Sequence, residues 1–393
     1  MTDAIVLDVL LIVLLIAYVV YGFRNGLSRS IFVIAGVVAG AIAAFFVVPL
    51  VTGWVAWSLA RPVVTIAVTV ALVAAGHALG SSLGRGIRRG IERTPLSGLD
   101  RLLGAVVTGV AAALVASVVG STVSQLGVPV LSRATAGSAV LRTINALTPD
   151  PVEAWVAQLK SIVADSGLPV ISDALGGPAP VIPQLDTGSP QLNAAAQSVV
   201  RITGNAFACG VSQSGTGFVV ADDRVVTNAH VVAGVTEPVV EAPNGEAIAG
   251  SIVYFDPVLD LAIIAVPGLT ADPLPLGDSL PAGTDAAVQG YPFGGPFTSG
   301  AARVMQVGTA QVDDIYGTST HPREVYTLAA DVRQGNSGGP VLTLDGTVAG
   351  VVFARSADTA SVGFAMTMAE LDPVAAEAST LTATVSSGDC ISD

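Results

Sequence analysis

The chain has 393 residues, enough for two or more domains; 51% are apolar, only 12% are charged, and the mean hydropathy is +0.69. That balance is too apolar for an ordinary soluble protein. A formal net charge of −13, with no basic cluster outside the apolar N-terminal third, argues against nucleic acid as a partner.

Four runs are apolar and long enough to cross a bilayer as helices, which takes about 20 residues each: roughly Ile5–Gly22, Ile31–Val51, Val63–Leu83 and Leu102–Val123. The first lacks the basic flank of a signal peptide, and three more runs follow it. Arginines set the expected orientation. Arg24 and Arg29 lie between runs one and two, and Arg85, Arg88, Arg89, Arg93 and Arg101 between runs three and four, whereas the N-terminus offers Asp3 and the second connection only Arg61. Both basic loops are therefore expected in the cytoplasm, with both termini and everything after run four outside the cytoplasmic membrane. Small residues at Gly36, Gly40, Ala44, Gly104 and Gly109 predict close helix packing, within the chain rather than between copies. His77 is the ionisable residue deep in run three, expected as a packed, hydrogen-bonded side chain. The segment from Asp8 to Gly36, with Tyr21-Gly22-Phe23-Arg24-Asn25-Gly26 after the first run, resembles the colicin V production protein family. That resemblance covers about the first 120 residues and implies a four-span membrane module of residues 1–124.

Residues 125–190 read as a linker punctuated by proline and glycine. Within it Pro151–Ala164 has the spacing of an amphipathic helix, and Gly176–Pro190 reads as extended and open to self-cleavage. From residue 191 onward the pattern turns to short β-branched runs separated by turn residues: Ser198–Thr203, Thr216–Ala221, Val225–Asn228, Ala247–Tyr254, Leu261–Val266, Ala286–Gln289, Thr327–Leu328 and Thr347–Phe353. Many short strands with few helices predict an all-β domain, sized for two small barrels. His321, within Thr318–Glu324, reads as a solvated loop residue.

Three residues of this domain have the settings of a nucleophile relay. His230 ends the strand-like Val225–His230, Asp260 directly precedes Leu261-Ala262-Ile263-Ile264, and Ser337 sits in Gly335-Asn336-Ser337-Gly338-Gly339-Pro340. A serine hydroxyl needs a neutral imidazole to take its proton, and the imidazole needs a carboxylate to fix its tautomer. The glycines around Ser337 allow a tight turn whose N–H groups converge on a developing oxyanion. Asp256 competes for the acid role, but it precedes Pro257 in a turn sequence, which favours Asp260. No metal or cofactor site is visible, and the chemistry needs none.

The order His, Asp, Ser is that of chymotrypsin-like double barrels. Ser214-Gly215-Thr216-Gly217-Phe218-Val219, Thr227–Val232, Asp260-Leu261-Ala262, the Ser337 hexapeptide and Ser361–Met366 together resemble trypsin-like serine proteases of the HtrA branch. That resemblance covers about half of the chain. It implies His230 as general base, Asp260 as its orienter, Ser337 as nucleophile, and the N–H groups of Gly335 and Ser337 as oxyanion hole. It also implies a substrate pocket around Asp331, Phe353, Ala354, Arg355 and Gly363. Asp331, six residues before Ser337, stands where trypsin places its selecting acid, with Arg333 near enough to neutralise it. The stretch after Ser337 suffices to finish a barrel but not to add the PDZ domain usual in HtrA proteases. A colicin-V-like anchor joined to such a domain resembles the actinobacterial membrane-anchored periplasmic proteases of the MarP type. This implies action on extracytoplasmic proteins, in acid and oxidative stress tolerance and in processing of cell-wall hydrolases. The competing reading is a membrane scaffold or export component whose β-domain binds peptides without cleaving them.

Cys209 and Cys390, the only cysteines, both fall in the part expected outside the membrane, and an even pair in an oxidising compartment reads as a disulfide. Its reduction would free the C-terminal tail, a possible redox switch.

Overall fold

The computed structural model describes residues 2–53, 61–91, 97–124, 129–149, 169–171, 179–206, 209 and 211–391. The expected helix Pro151–Ala164 lies outside the described residues. The chain divides into two compact units, one of Asp8–Ser117 and one of Met1–Leu7 with Val118–Asp393.

The smaller unit is helical: α1 (Thr2–Gly53), α2 (Arg61–Ile91) and α3 (Ser97–Ser124). Among the described residues three stretches are long and apolar enough to cross a membrane: Ala4–Ala44, Ala67–Arg85 and Ser97–Gly120. The first has 41 residues, roughly 60 Å as a straight helix, about twice the hydrocarbon thickness of a bilayer. It is not straight. Gly26 breaks it with φ 72° and ψ 164°, and Asp100 Oδ1 accepts from the N–H (3.0 Å) and Oγ (2.6 Å) of Ser28 just after the break. The two halves of α1 pack through glycines on different helices. A β-carbon on Gly36 would lie 2.2 Å from the Gly76 carbonyl oxygen, and one on Gly22 2.3 Å from that of Gly104. Gly36 and Gly40 thus serve packing inside the chain. His77 departs from expectation: its side chain is exposed, beside a groove lined by Val37, Thr69, Val70, Val73 and Ala74. The helices present a mostly apolar outer surface, and α2 turns His77 to that surface rather than into a helix contact.

In the larger unit, α4 (Pro129–Gly137), α5 (Ala139–Leu147) and the short β1 (Val170–Ile171) precede α6 (Pro190–Ala195). Two seven-stranded sheets follow. One comprises β2 (Val199–Ala206), β3 (Val211–Ala221), β4 (Arg224–Thr227), β5 (Val239–Glu241), β6 (Ala247–Ala249), β7 (Ser251–Asp256) and β8 (Leu261–Ala265), in the order β6-β5-β2-β3-β4-β8-β7. The other adds to β1 the strands β9 (Asp285–Gly290), β10 (Thr298–Asp313), β11 (Thr320–Ala330), β12 (Pro340–Leu342), β13 (Val348–Ser356) and β14 (Val362–Thr367), in the order β1-β13-β12-β9-β10-β11-β14. Pairing of β13 with β14 closes six of these strands into a ring. One short helix, α7 (Ala229–Val232), follows β4, and α8 (Met368–Glu377) follows β14.

Packing explains the near-continuous apolar runs. Along β8, Leu261 and Ile263 join a core shared with Phe353, Val351 and Met366 of the other sheet, while Ala262 and Ile264 face a second core within their own sheet. Both faces are buried, so alternation is hidden in the sequence. Each fully buried Leu, Ile or Phe stabilises the fold by about 1.5–3 kcal/mol. The run Ala247–Tyr254, expected as one strand, is two. Gly250 interrupts it, approaching Ile264 so closely that a β-carbon would lie 2.4 Å from its Cγ2. The long β10 and the helix α8 were not anticipated.

Candidate active site

His230 sits on α7, one turn after β4, and Asp260 ends the β7–β8 turn beside it. The His230 N–H donates to Asp260 Oδ1 at 2.9 Å, and Nδ1 lies 3.0 Å from Oδ1 and 2.8 Å from Oδ2. Backbone and ring are thus both fixed on one carboxylate, which is 2% exposed. Asp260 holds a φ of 58°, unusual for a residue with a β-carbon, and Asn228 Nδ2 braces its carbonyl at 2.8 Å. Nε2 of His230 is buried with no protein hydrogen-bond partner. The arrangement orients a ring whose second nitrogen is free to accept a proton. Asp256 is spent locally: its Oδ1 accepts from the N–H groups of Val258 (2.8 Å) and Leu259 (2.9 Å).

Ser337 lies between β11 and β12, also 2% exposed. Its loop is fastened to the first sheet through Thr216. The Thr216 N–H donates to Ser337 O at 2.8 Å, its Oγ1 donates to Gly335 O at 2.6 Å, and its Oγ1 accepts from the Tyr291 N–H at 2.9 Å. Gly215 lets the histidine helix and the serine loop close up. A β-carbon there would lie 2.6 Å from Val231 and 3.2 Å from Ser337 O. Gly335 has φ 93°, and a β-carbon on it would meet Tyr291 O at 2.3 Å. Thr216 and Gly215 were missed as site residues, although both lie inside the quoted Ser214–Val219 motif.

The other expected residues flank this centre. On the edge of β13 away from β14, Val352 exchanges two 2.9 Å backbone hydrogen bonds with Gly338 and Gly339. A one-residue bulge at Phe353 then keeps the N–H groups of Arg355 and Ala357 on the same edge. There they donate to Pro169 O at 3.1 Å and Ile171 O at 2.9 Å, with β1 running parallel to β13. Gly363 pairs with Arg355 and packs under Val332, whose Cγ2 would lie 2.3 Å from an added β-carbon. Asp331 is half-exposed and bound by Arg333, with Nε to Oδ2 at 3.0 Å, so its charge is answered at the surface. His321, expected in a loop, is the second residue of β11, where it pairs with Val312 of β10, and its Nε2 lies 2.9 Å from Ser319 Oγ. Cys209 and Cys390 are joined in a disulfide, with 5.6 Å between Cα atoms.

A buried histidine–carboxylate pair beside one sheet, with a glycine-bounded serine loop fastened to that sheet through Thr216, is the arrangement of a trypsin-like peptidase of the serine type. Residues 215–351 match the trypsin-like peptidase domain family, and residues 7–149 match the Colicin V production protein family. Serine protease Rv3671c of Mycobacterium tuberculosis H37Rv is 39% identical over 273 residues, which are 67% of this chain and 68% of that protein. The chain belongs to the family of that protein and is a serine endopeptidase. The crystal structure of the Rv3671c protease in its active form, at 39% identity, covers 58% of this chain and 96% of its own, with a TM-score of 0.52. More distantly, mitochondrial serine protease HTRA2 of Bos taurus is 38% identical over 149 residues, 35% of this chain and 31% of that protein.

Proposed function

We propose that the chain is a membrane-anchored endopeptidase acting on proteins outside the cytoplasmic membrane, with Ser337, His230 and Asp260 as its triad. The observation that carries this is His230 held by backbone and ring on Asp260, its Nε2 left free, beside the serine loop fastened by Thr216. In this reading Nε2 takes the Ser337 proton as Oγ attacks the scissile carbonyl, and Asp260 stabilises the imidazolium that forms. The N–H groups of Gly335 and Ser337 receive the oxyanion. The imidazolium then protonates the leaving amine, and water repeats the sequence to release the acyl group.

The anchor is read as four spans, because the Gly26 break divides α1 into two lengths that each suffice to cross. The two sheets are read as the two barrels. The arginine-rich connections keep both termini and the peptidase outside. The roles in acid and oxidative stress, and in processing cell-wall hydrolases, rest on the resemblance to the MarP-type proteases.

The test is cleavage of an unfolded protein such as casein by the full chain reconstituted in vesicles. Substrate is supplied outside or enclosed within, with orientation fixed by accessibility of the C-terminus. Cleavage only on the side of the C-terminus, abolished in Ser337→Ala, is expected. Cleavage that survives Ser337→Ala overturns the triad, and a folded chain that binds peptides without cleaving them returns the scaffold reading.

A further inference from the structure

Arg323 lies on β11 with 2% of its surface exposed, among the most deeply buried large side chains of the protein. A guanidinium keeps its charge at any ordinary pH, so burial is costly unless something answers it. Among the described residues no carboxylate forms a direct ion pair with it. Instead Nη1 donates to Leu259 O at 3.3 Å, Nη2 donates to Asp313 O at 2.5 Å, and the guanidinium carbon stands 5.5 Å from the centre of the Phe353 ring. Nε is buried without a partner.

Each anchor bears on the reaction. Leu259 immediately precedes Asp260, whose φ of 58° has to be imposed by its surroundings. Asn228 holds the Asp260 carbonyl from one side, and Arg323 holds the preceding carbonyl from the other. Phe353 follows Val352, the residue bonded to the serine loop. Burial lowers the Arg323 pKa, opposed first by the carboxylate of Asp260 and then by those of Glu370, Asp256 and Asp313.

We infer that Arg323 is a positioning residue: from β11 of the second sheet it fixes the Leu259–Asp260 peptide of the first, and so holds the Asp260 carboxylate on His230. The sequence hides the role, because the contact that matters is made to a backbone oxygen 64 residues away. The inference rests on the triad reading above.

The experiment is a double-mutant cycle in the full chain, combining Arg323→Gln with Asp260→Asn, and Arg323→Lys as a single variant. Steady-state turnover of a peptide is expressed per active site, counted by fluorophosphonate labelling. The labelling rate itself is read in both the wild-type and the Asp260→Asn backgrounds. Arg323→Gln is expected to lower kcat about 10- to 100-fold with KM within about twofold, and Arg323→Lys to recover most of that loss. Arg323→Gln is expected to slow labelling about 10- to 100-fold in the wild-type background but less than about twofold in the Asp260→Asn background, since the residue it positions is already disabled.

Equal fold-losses in both backgrounds would overturn the inference. So would a raised KM at unchanged kcat, which would place Arg323 in the service of the pocket through Phe353. Fewer active sites at full turnover each would make it a stability residue alone. If Arg323→Gln does not fold, the same cycle is run with Arg323→Met, which keeps the apolar stem against Phe353 and removes the donors. If Asp260→Asn itself leaves labelling unchanged, it is the triad reading that fails, not the cycle.

Discussion

Gly335→Ala is the substitution for which the structure sets the consequence most directly. The new β-carbon would fall 2.3 Å from Tyr291 O and 2.9 Å from the Phe293 nitrogen, both backbone atoms. Neither can step aside cheaply. Tyr291 O accepts from the Gly294 N–H at 3.0 Å, the Tyr291 N–H is held by Thr216, and the Phe293 N–H donates to Gln334 O at 2.7 Å. The Gly335 peptide must therefore retreat by about 1 Å to reach ordinary contact distance. It also leaves a φ of 93°, which costs a residue with a side chain about 1–3 kcal/mol to keep. An oxyanion donor displaced that far is close to an absent one, worth about 100- to 1000-fold in kcat. The assay is kcat and KM on a peptide, normalised to active sites, beside a thermal melt of the same sample. KM should stay within about threefold, because the loss falls on the transition state. A folded Gly335→Ala enzyme with kcat within threefold of wild type would refute the assignment of the Gly335 N–H.

Three further outcomes follow from other parts of the molecule. The disulfide closes a separation of 181 residues, for which chain entropy allows about 5 kcal/mol. The tail is also held by Val385 N–H on Ile252 O and by Asp389 N–H on the Tyr316 hydroxyl, so Cys390→Ser should cost about 2–5 kcal/mol in urea melts, and under 1 kcal/mol would contradict this. Burial alone would raise the Asp314 carboxyl, but hydrogen bonds from Ser319, Thr318 and the Tyr316 N–H override it and hold it well below the usual range. That stabilisation is present above the unfolded value of 3.8 and is lost as pH falls below it. Melting temperatures of wild type should therefore drop from pH 5 to pH 2.5 more steeply than those of Asp314→Asn; parallel curves would refute the linkage. Finally, β1 is held on the same edge of β13 that binds the serine loop, through two hydrogen bonds worth about 1 kcal/mol each, and it would compete with an extended substrate pairing there. A chain beginning at residue 179 should cleave long peptides about 5- to 30-fold more efficiently and short ones that stop before Arg355 no better. Equal gains on both would refute competition at that edge.

The residues proposed as the triad stood out in the sequence because each sits in a short segment of distinctive local character. His230 ends a β-branched strand, Asp260 opens another, and Ser337 lies in a glycine frame. Distance along the chain hid the rest. Arg323 and Thr216 act through backbone atoms of remote segments, which no periodicity announces. The 16-residue β10 was missed because much of it is exposed and rich in small and polar residues, so neither alternation nor an apolar run marks it. The helix α8 carries Pro373 inside it, a residue that weakens the helical character of its sequence. The glycines of the membrane runs announced close packing. Their partners, Gly76 for Gly36 and Gly104 for Gly22, became visible only in three dimensions.

The central claim, an activated Ser337, is tested most directly by labelling the full chain with a fluorophosphonate probe, with Ser337→Ala and His230→Ala alongside. Labelling of wild type, none of Ser337→Ala, and a rate at least about 1000-fold lower in His230→Ala are predicted. A folded wild-type chain that takes no label, or equal labelling of Ser337→Ala, would contradict the account.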